Sequence, residues 1–396
     1  MVRKENKIRG LKGKIVSFMS LISLTAAIFI NAPAAIADPA TNPLEGITLE
    51  GLGYIEYSNG QTGSPNDSTT DYNKFSLTRG YITVKKAQTS WMSFRVTMDI
   101  YQDDNGNYVF REKYLYGELK HSGFSVFTNI KAEIGMGHTP WLDFEGTVNP
   151  YRCQGKTASE NAGLVNSADI GLGVMGNFGG KLEDAKAKTG NGSYDGRYGS
   201  WQLGVYNGGG YSATEKNENK IFAARATFRP LPDVIPGFQA SYSGIFGKGN
   251  TADEPDYDFN LGMVSFEHPK VILAAQYFVG TGNAKGTLVD ANGESLKSAG
   301  YSIFANVKPL PTNSNFAVFG RYDYFDNDKD AVVAEDAACA TIIAGASYDL
   351  YKGNMVVVSY ESTSYDDNAA GKGKTPVIDT NLGDDQKVQV IYQIKF

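Results

Sequence analysis

The chain has 396 residues, with Tyr 24, Phe 21 and Gly 45 against Pro 14, three histidines, two cysteines and a formal net charge of −6. An acidic chain lacks the electrostatic footprint of a nucleic-acid binder. Two widely spaced cysteines are not a disulfide framework, and neither sits in C-x-x-C-H, so covalent haem is not encoded.

The first residues, "MVRKENKIRGLKGK", are basic, and "IVSFMSLISLTAAIFI" is an apolar run. "NAPAAIADP" then places small residues at Ala35 and Ala37, the pattern that precedes a signal-peptidase cut. We expect residues 1–37 to be a cleaved secretory signal and residues 38–396 to form one domain. The leader holds Arg3, Lys4, Lys7, Arg9, Lys12 and Lys14 against Glu5, so its removal takes the net charge from −6 to about −11. Export also puts Cys153 and Cys339 on an oxidising route, where they could pair. No later stretch approaches 18 uninterrupted apolar residues, so no second helical span is expected. Barrel strands escape that test, because only every other residue needs to be apolar.

Period-2 alternation recurs from residue 47 onward in segments of about 10–13 residues, the signal of half-buried strands. In chain order they are 47–57, 75–86, 91–101, 110–120, 129–138, 168–178, 200–207, 220–230, 237–247, 257–267, 270–280, 299–308, 315–325, 341–351, 354–365 and 386–396. Sixteen strands, an even number, return both ends of the domain to one side, as single-chain bacterial barrels do. The last segment, "QKVQVIYQIKF", sets Val388, Val390, Tyr392, Ile394 and Phe396 on one parity and Lys387, Gln389, Gln393 and Lys395 on the other. Unpaired strand edges are costly in an apolar medium, so both edges of this strand need partners, and closure onto 47–57 supplies the missing one.

Connection lengths alternate as well. Short links fall at 87–90, 121–124, 230–236, 268–269, 309–313 and 352–353. Long ones fall at 58–73, 139–167, 208–218, 281–298, 326–338 and 366–385. Short turns on the periplasmic side and long loops outside are the rule for outer-membrane barrels. The link 179–197 breaks it, being long where a turn is due: either it forms a periplasmic hairpin extension or the strand register near it is wrong. On 91–101, Ser93, Arg95, Thr97, Asp99 and Tyr101 oppose Phe94, Val96, Met98 and Ile100. Arg and Asp inside an unbroken strand imply water there, against a soluble sandwich. The expectation is an all-β, 16-stranded antiparallel transmembrane barrel with aromatic girdles at Trp91, Trp141, Trp201, Tyr351 and Tyr365.

A barrel of this size can hold an aqueous channel, whose selectivity comes from charges at its narrowest point. The link 139–167, the longest, follows the fifth strand and either folds inward as a constriction or stays on the surface. It carries Asp143, Glu145, Arg152, Lys156 and Glu160. Arg95, Lys131, Arg225 and Arg321 fall on the inward parity. Arg79, Arg111 and Lys113 lie where the alternation blurs. A row of such cations would hand an anion along. Asp99, Glu133 and Asp323 on the same strands could instead neutralise them.

The blocks "RGYITVKKAQTSWMSFRVTMDI", "IGMGHTPW", "SADIGLGVMGNF", "SWQLGVYNGGGY" and "FAARATFRPLPDVIPGFQASYS" resemble the phosphate- and polyphosphate-selective porins, the O and P porins. The resemblance is strongest over 75–245. It implies a trimeric, 16-stranded barrel of the bacterial outer membrane, bathed by lipid and lipopolysaccharide, with an inward loop after strand 5 and a ladder of lumen arginines. Arg79, Arg95 and Arg225 lie in the matching blocks. An aromatic last residue, here Phe396, is what the outer-membrane assembly machinery reads in such barrels. Two departures weaken phosphate selectivity: 139–167 holds no dense basic cluster, and the chain is acidic.

Other signals are weaker. "GLGVMG" (171–176) fits G-x-G-x-x-G but sits in a strand with no helix after it. Asp326, Asp328 and Asp330 have calcium-loop spacing but lack the required glycine and the twelfth-position Glu. His121, His138 and His268 assemble no readable triad. No catalytic, metal or cofactor site is expected. The reading is a passive channel for small hydrophilic solutes and ions. Its alternative is a sheath carrying a partner protein, such as a redox cytochrome, across the membrane.

Overall fold

The computed structural model describes residues 44–103, 105–310 and 312–396, and the expected leader lies outside them. Sixteen antiparallel strands close on themselves: β1 (Ile47–Ser64), β2 (Ser68–Ala87), β3 (Met92–Gln102), β4 (Tyr108–Phe124), β5 (Phe127–His138), β6 (Ala168–Phe178), β7 (Gly199–Tyr206) and β8 (Ile221–Phe228), then β9 (Phe238–Lys248), β10 (Asp256–His268), β11 (Val271–Thr281), β12 (Lys297–Val307), β13 (Phe316–Asp326), β14 (Ala338–Tyr351), β15 (Asn354–Tyr365) and β16 (Asp385–Lys395). Each strand pairs with its chain neighbours. β1 and β16 shut the ring from Leu52↔Lys395 to Gln61↔Gln386. Phe396 completes the seam through its amide and carbonyl, both bonded to Gly51. No edge is left between β1 and β16, which is what a barrel in an apolar medium requires.

Turn chemistry fixes the hairpins. Lys352 and Gly353 both have positive φ, the two-residue primed turn whose twist matches a tight hairpin. Asn66 and Asp67 do the same after Pro65. That second turn corrects the expected loop at 58–73: β1 and β2 run on to pair Thr62 with Thr70 and Ser64 with Ser68. Ser, Asn, Gly and Thr read as loop by propensity, but ladder pairing to β2, and to β16 as far as Gln61, keeps them extended.

Four irregularities shift the register among the described residues. Thr78 has no partner between Tyr54↔Arg79 and Ile55↔Leu77, Lys113 has none between Thr97↔Tyr114 and Met98↔Glu112, Leu350 has none between Asp349↔Met355 and Tyr351↔Asn354, and Asn129 and Ile130 interrupt the β5–β6 ladder. The first two bulges are why the inward parity blurs at Arg79, Arg111 and Lys113.

The outward face is apolar, with Ile55, Ile82, Phe94, Leu115, Ile134, Val264, Ile303, Ile342, Val358 and Val390 exposed. The inward face divides into two sectors. On β2–β4 it is polar, as the sequence indicates. On β8–β13 it is mixed: Ile221, Ala223, Ile245, Phe259, Leu261, Met263, Phe278 and Phe319 are buried inside the barrel among polar residues such as Ser241, Ser243, Ser265 and Asn306. An inner core therefore exists, contrary to the expectation of a uniformly wet interior, and the connection 139–167 fills it. Two of the expected girdle aromatics point inward too. Trp141 is 1% exposed within that connection, and the Tyr365 hydroxyl donates to Asp385.

Candidate functional site: a narrowed lumen

The link 139–167 folds inward and holds two short helices, α1 (Leu142–Val148) and α2 (Ala158–Asn161). Trp141, Leu142, Phe144 and Val148 sink among the apolar side chains of that mixed sector of the wall. Burying each such side chain is worth about 1.5–3 kcal/mol. Polar clamps fix the depth. Arg225, 1% exposed, donates from Nε to the Pro140 carbonyl (2.9 Å) and from Nη1 to Ser200 and Thr227, with its guanidinium over the Phe144 ring at 4.4 Å. Glu145 accepts from Trp141 Nε1 and Gln276 Nε2, each at 2.9 Å. Burial pushes its carboxyl above the usual carboxylate range, against the hydrogen bonds that oppose it. Arg321 pairs with Asp323 at 2.9 Å and donates to the Lys156 carbonyl, while the Tyr151 hydroxyl reaches Asn306 and Ser347. Cys153 and Cys339 are both buried and unpaired with each other, and burial pushes the Cys153 thiol up to about 12.

The exceptional link 179–197 turns inward from the turn end instead of extending away as a periplasmic hairpin, and the strand register around it stands. Its helix α3 (Ala185–Thr189) leads to Asn191, which donates to Glu267 on β10 and to the Thr147 carbonyl. The Tyr194 hydroxyl donates to Asp143 (2.7 Å), and its ring meets Phe144 edge-on. This strap packs on the underside of the inward loop.

Loop and strap leave open space against β16 and β1–β7. Two chambers occupy it, sharing no lining residue. One, of about 820 Å³, lies at the turn end between Lys85, Arg95, Glu118, His138, Asp143 and Tyr194. The other, of about 610 Å³, lies at the loop end between Tyr54, Tyr72, Lys74, Arg79, Lys156 and Gln389. Cations and tyrosines alternate along the wall that joins them. Arg79 lies over the rings of Tyr54 and Tyr81 (5.3 and 5.0 Å), Lys113 over Tyr211 (4.1 Å) and Arg95 over Tyr114 (4.3 Å). Ring faces stabilise the charges of Arg79 and Arg95 without neutralising them, whereas Lys113 is buried and donates to Ser167 (2.6 Å). Among the described residues no carboxylate stands within ion-pairing distance of Arg79, Arg95 or Lys113.

Next to Arg95, His138 ends β5 with both ring nitrogens engaged. Nδ1 lies 2.9 Å from Glu133 and Nε2 lies 3.2 Å from Arg95 Nη1. Asp143 Oδ1 is 3.9 Å from Nε2. Asp143 is exposed to the chamber, and His138 and the Tyr194 hydroxyl hold its carboxyl below the ordinary value.

Not every residue singled out from the sequence borders the chambers. Arg79, Arg95, Lys131, Glu133, Asp143, Arg152 and Lys156 do. Arg225, Arg321, Asp323 and Glu145 are buried where the loop meets the wall. Asp99 is held by Arg111 at 2.8 Å, Lys131 by Glu118 at 3.3 Å, and Arg152 by Glu160 within the loop. Asp328 accepts from the amides of Val332, Val333 and Ala334, so it shapes its own loop. The tyrosine faces and the strap went unread. The tyrosines gave one signal, inward parity beside each cation on β1–β4; the strap gave only its excessive length.

No family model matches the sequence, and no curated protein matches it. Solved structures do match in shape. An anion-selective porin from Comamonas acidovorans aligns over 88% of this chain and 99% of its own, with 12% identity and a TM-score of 0.57. OmpF of Salmonella typhi, in complex with daunomycin, aligns over 88% and 97%, with 13% identity and a TM-score of 0.57. A trimer form of in-vitro folded OmpT, an outer-membrane protein of Vibrio cholerae, aligns over 89% and 100%, with 10% identity and a TM-score of 0.51. The chain is similar to these proteins in its porin-type barrel fold.

Proposed function

We propose that the chain is a bacterial outer-membrane porin, a passive channel for small hydrophilic solutes and ions that prefers anions, phosphate among them, and performs no catalysis. The observation that carries the reading is the pair Arg79 and Arg95, one on the lining of each chamber and neither with a carboxylate partner among the described residues. Lumen charge of one sign at a constriction concentrates the opposite ion, and arginine forks suit phosphate and carboxylate oxygens. The remaining cations named from sequence have other roles: Arg225 and Arg321 hold the constriction loop, and Lys131 is balanced by Glu118.

The apolar outward belt fits lipid, with lipopolysaccharide at the loop end, and Phe396 at the seam is the residue for the assembly machinery to read. Residues 1–37 direct export, and the barrel works as a homotrimer, a form that one structurally similar protein also takes. The loop and strap fill the space a carried protein would need, which argues against the sheath. Liposome swelling tests the channel: vesicles containing the protein should admit pentoses and small organic acids, and osmotically tight vesicles would contradict it.

A further inference from the structure

The β1–β2 ribbon points to a second specificity, which rests on the anion-channel reading above. We propose that its inward face is a docking track for a phosphorylated sugar, a polyol carrying two negative charges, at the loop end of the lumen.

The track follows from the register. Going inward from the mouth, the paired residues are Thr62 with Thr70, Gly60 with Tyr72, Ser58 with Lys74, Glu56 with Ser76 and Tyr54 with Arg79, and bulged Thr78 adds a hydroxyl beside the last step. Thr62, Thr70, Ser76 and Thr78 all line the 610 Å³ chamber, and Lys156 borders it from the inward loop. Hydroxyls and the Tyr72 ring suit a sugar, which offers alternating hydroxyl groups and a C–H face.

The charges are asymmetric in a way that suits a dianion. Of the cations lining this chamber, Lys387 pairs with Glu361 and Arg152 with Glu160, whereas Lys74, Arg79 and Lys156 have no carboxylate partner among the described residues. Glu56 is the one carboxylate on the lining, which leaves an excess of two positive charges. The turn-end chamber differs, since its lysines Lys85, Lys120, Lys131 and Lys181 are each bridged to a carboxylate. The track faces the lumen, so the ligand is a soluble ester and not a lipid headgroup.

The test is current block in a planar bilayer at pH 8, where glucose 6-phosphate and inorganic phosphate are both dianions, with glucose as the third probe. Glucose 6-phosphate should block from the loop side at a concentration about tenfold below phosphate, the size of one or two net hydrogen bonds, and glucose should not block. In Thr62→Ala/Thr70→Ala/Ser76→Ala that advantage should disappear while phosphate block is unchanged. Equal block by the two anions in the unaltered protein, or block by glucose alone, overturns the inference. Anion preference is read separately in plain KCl. Its loss would overturn the channel reading, and its persistence with equal block would overturn the sugar track alone.

Discussion

Arg95 Nη1 stands 3.2 Å from His138 Nε2, and the other ring nitrogen stands 2.9 Å from Glu133. A guanidinium only donates. Nε2 therefore accepts from Arg95 only while the ring is neutral, with its one proton on Nδ1 facing Glu133. Acid would put a second donor opposite Arg95, release that guanidinium toward the turn-end chamber, and turn Nε2–H toward Asp143. The groups facing the ring are Glu133, Arg95, Asp143, Tyr114 and Tyr116. Moving from pH 9 to 5.5 should shift the KCl reversal potential toward greater anion preference as the ring gains its second proton. His138→Gln should flatten that response, and an unchanged pH profile in the variant would contradict it.

Arg225→Ala removes the bond to Pro140 and the cation under Phe144 while leaving β8 otherwise intact. Buried hydrogen bonds from a charged donor support a cost of about 3 kcal/mol. Lower resistance to urea or heat in detergent should come with larger and noisier single-channel currents as the loop loosens. A variant with wild-type currents would show that the apolar contacts alone hold the constriction.

Glu145 carries the opposite sign. Its carboxyl is raised by burial, so the folded protein binds a proton that the unfolded chain releases at the same pH. Its contribution is most favourable below the unfolded carboxyl range and is lost as pH rises through the raised value. Glu145→Gln keeps an acceptor for Trp141 and needs no charge. It should melt at or above the wild-type temperature at pH 7, and the difference should shrink toward pH 4.5. A variant that melts well below wild type at pH 7 would mean that the charge itself is needed.

Deleting Phe396 removes the two backbone bonds to Gly51 that end the β1–β16 seam, as well as the ring over Gly51. The amount of folded, heat-modifiable barrel in the outer-membrane fraction should fall. Unchanged assembly would count against this role.

Most of the barrel was legible because a strand between lipid and lumen must alternate, and that pattern survives in 168–178 and 354–365 to the residue. Legibility failed where a bulge inserts one residue, as at Thr78 and Lys113, since every side chain beyond it changes face. It failed again on β1–β2, where polar strands extend beyond the expected loop boundary. The inner core was hidden for another reason. Phe259, Leu261 and Met263 face inward and Val264 and Phe266 outward, so β10 is apolar on both faces and its alternation marks neither as the wall of a filled sector. The candidate channel residues were partly readable as charges on inward parity. Which of them meets a partner depended on the loop and strap, whose folding is tertiary.

The most direct test of the central claim is the reversal potential of the purified protein in a planar bilayer under a tenfold KCl gradient. It is measured for the unaltered chain and for Arg79→Ala/Arg95→Ala. The account predicts a potential on the chloride side that collapses toward zero in the double variant. A potential near zero or on the potassium side in the unaltered protein would contradict it.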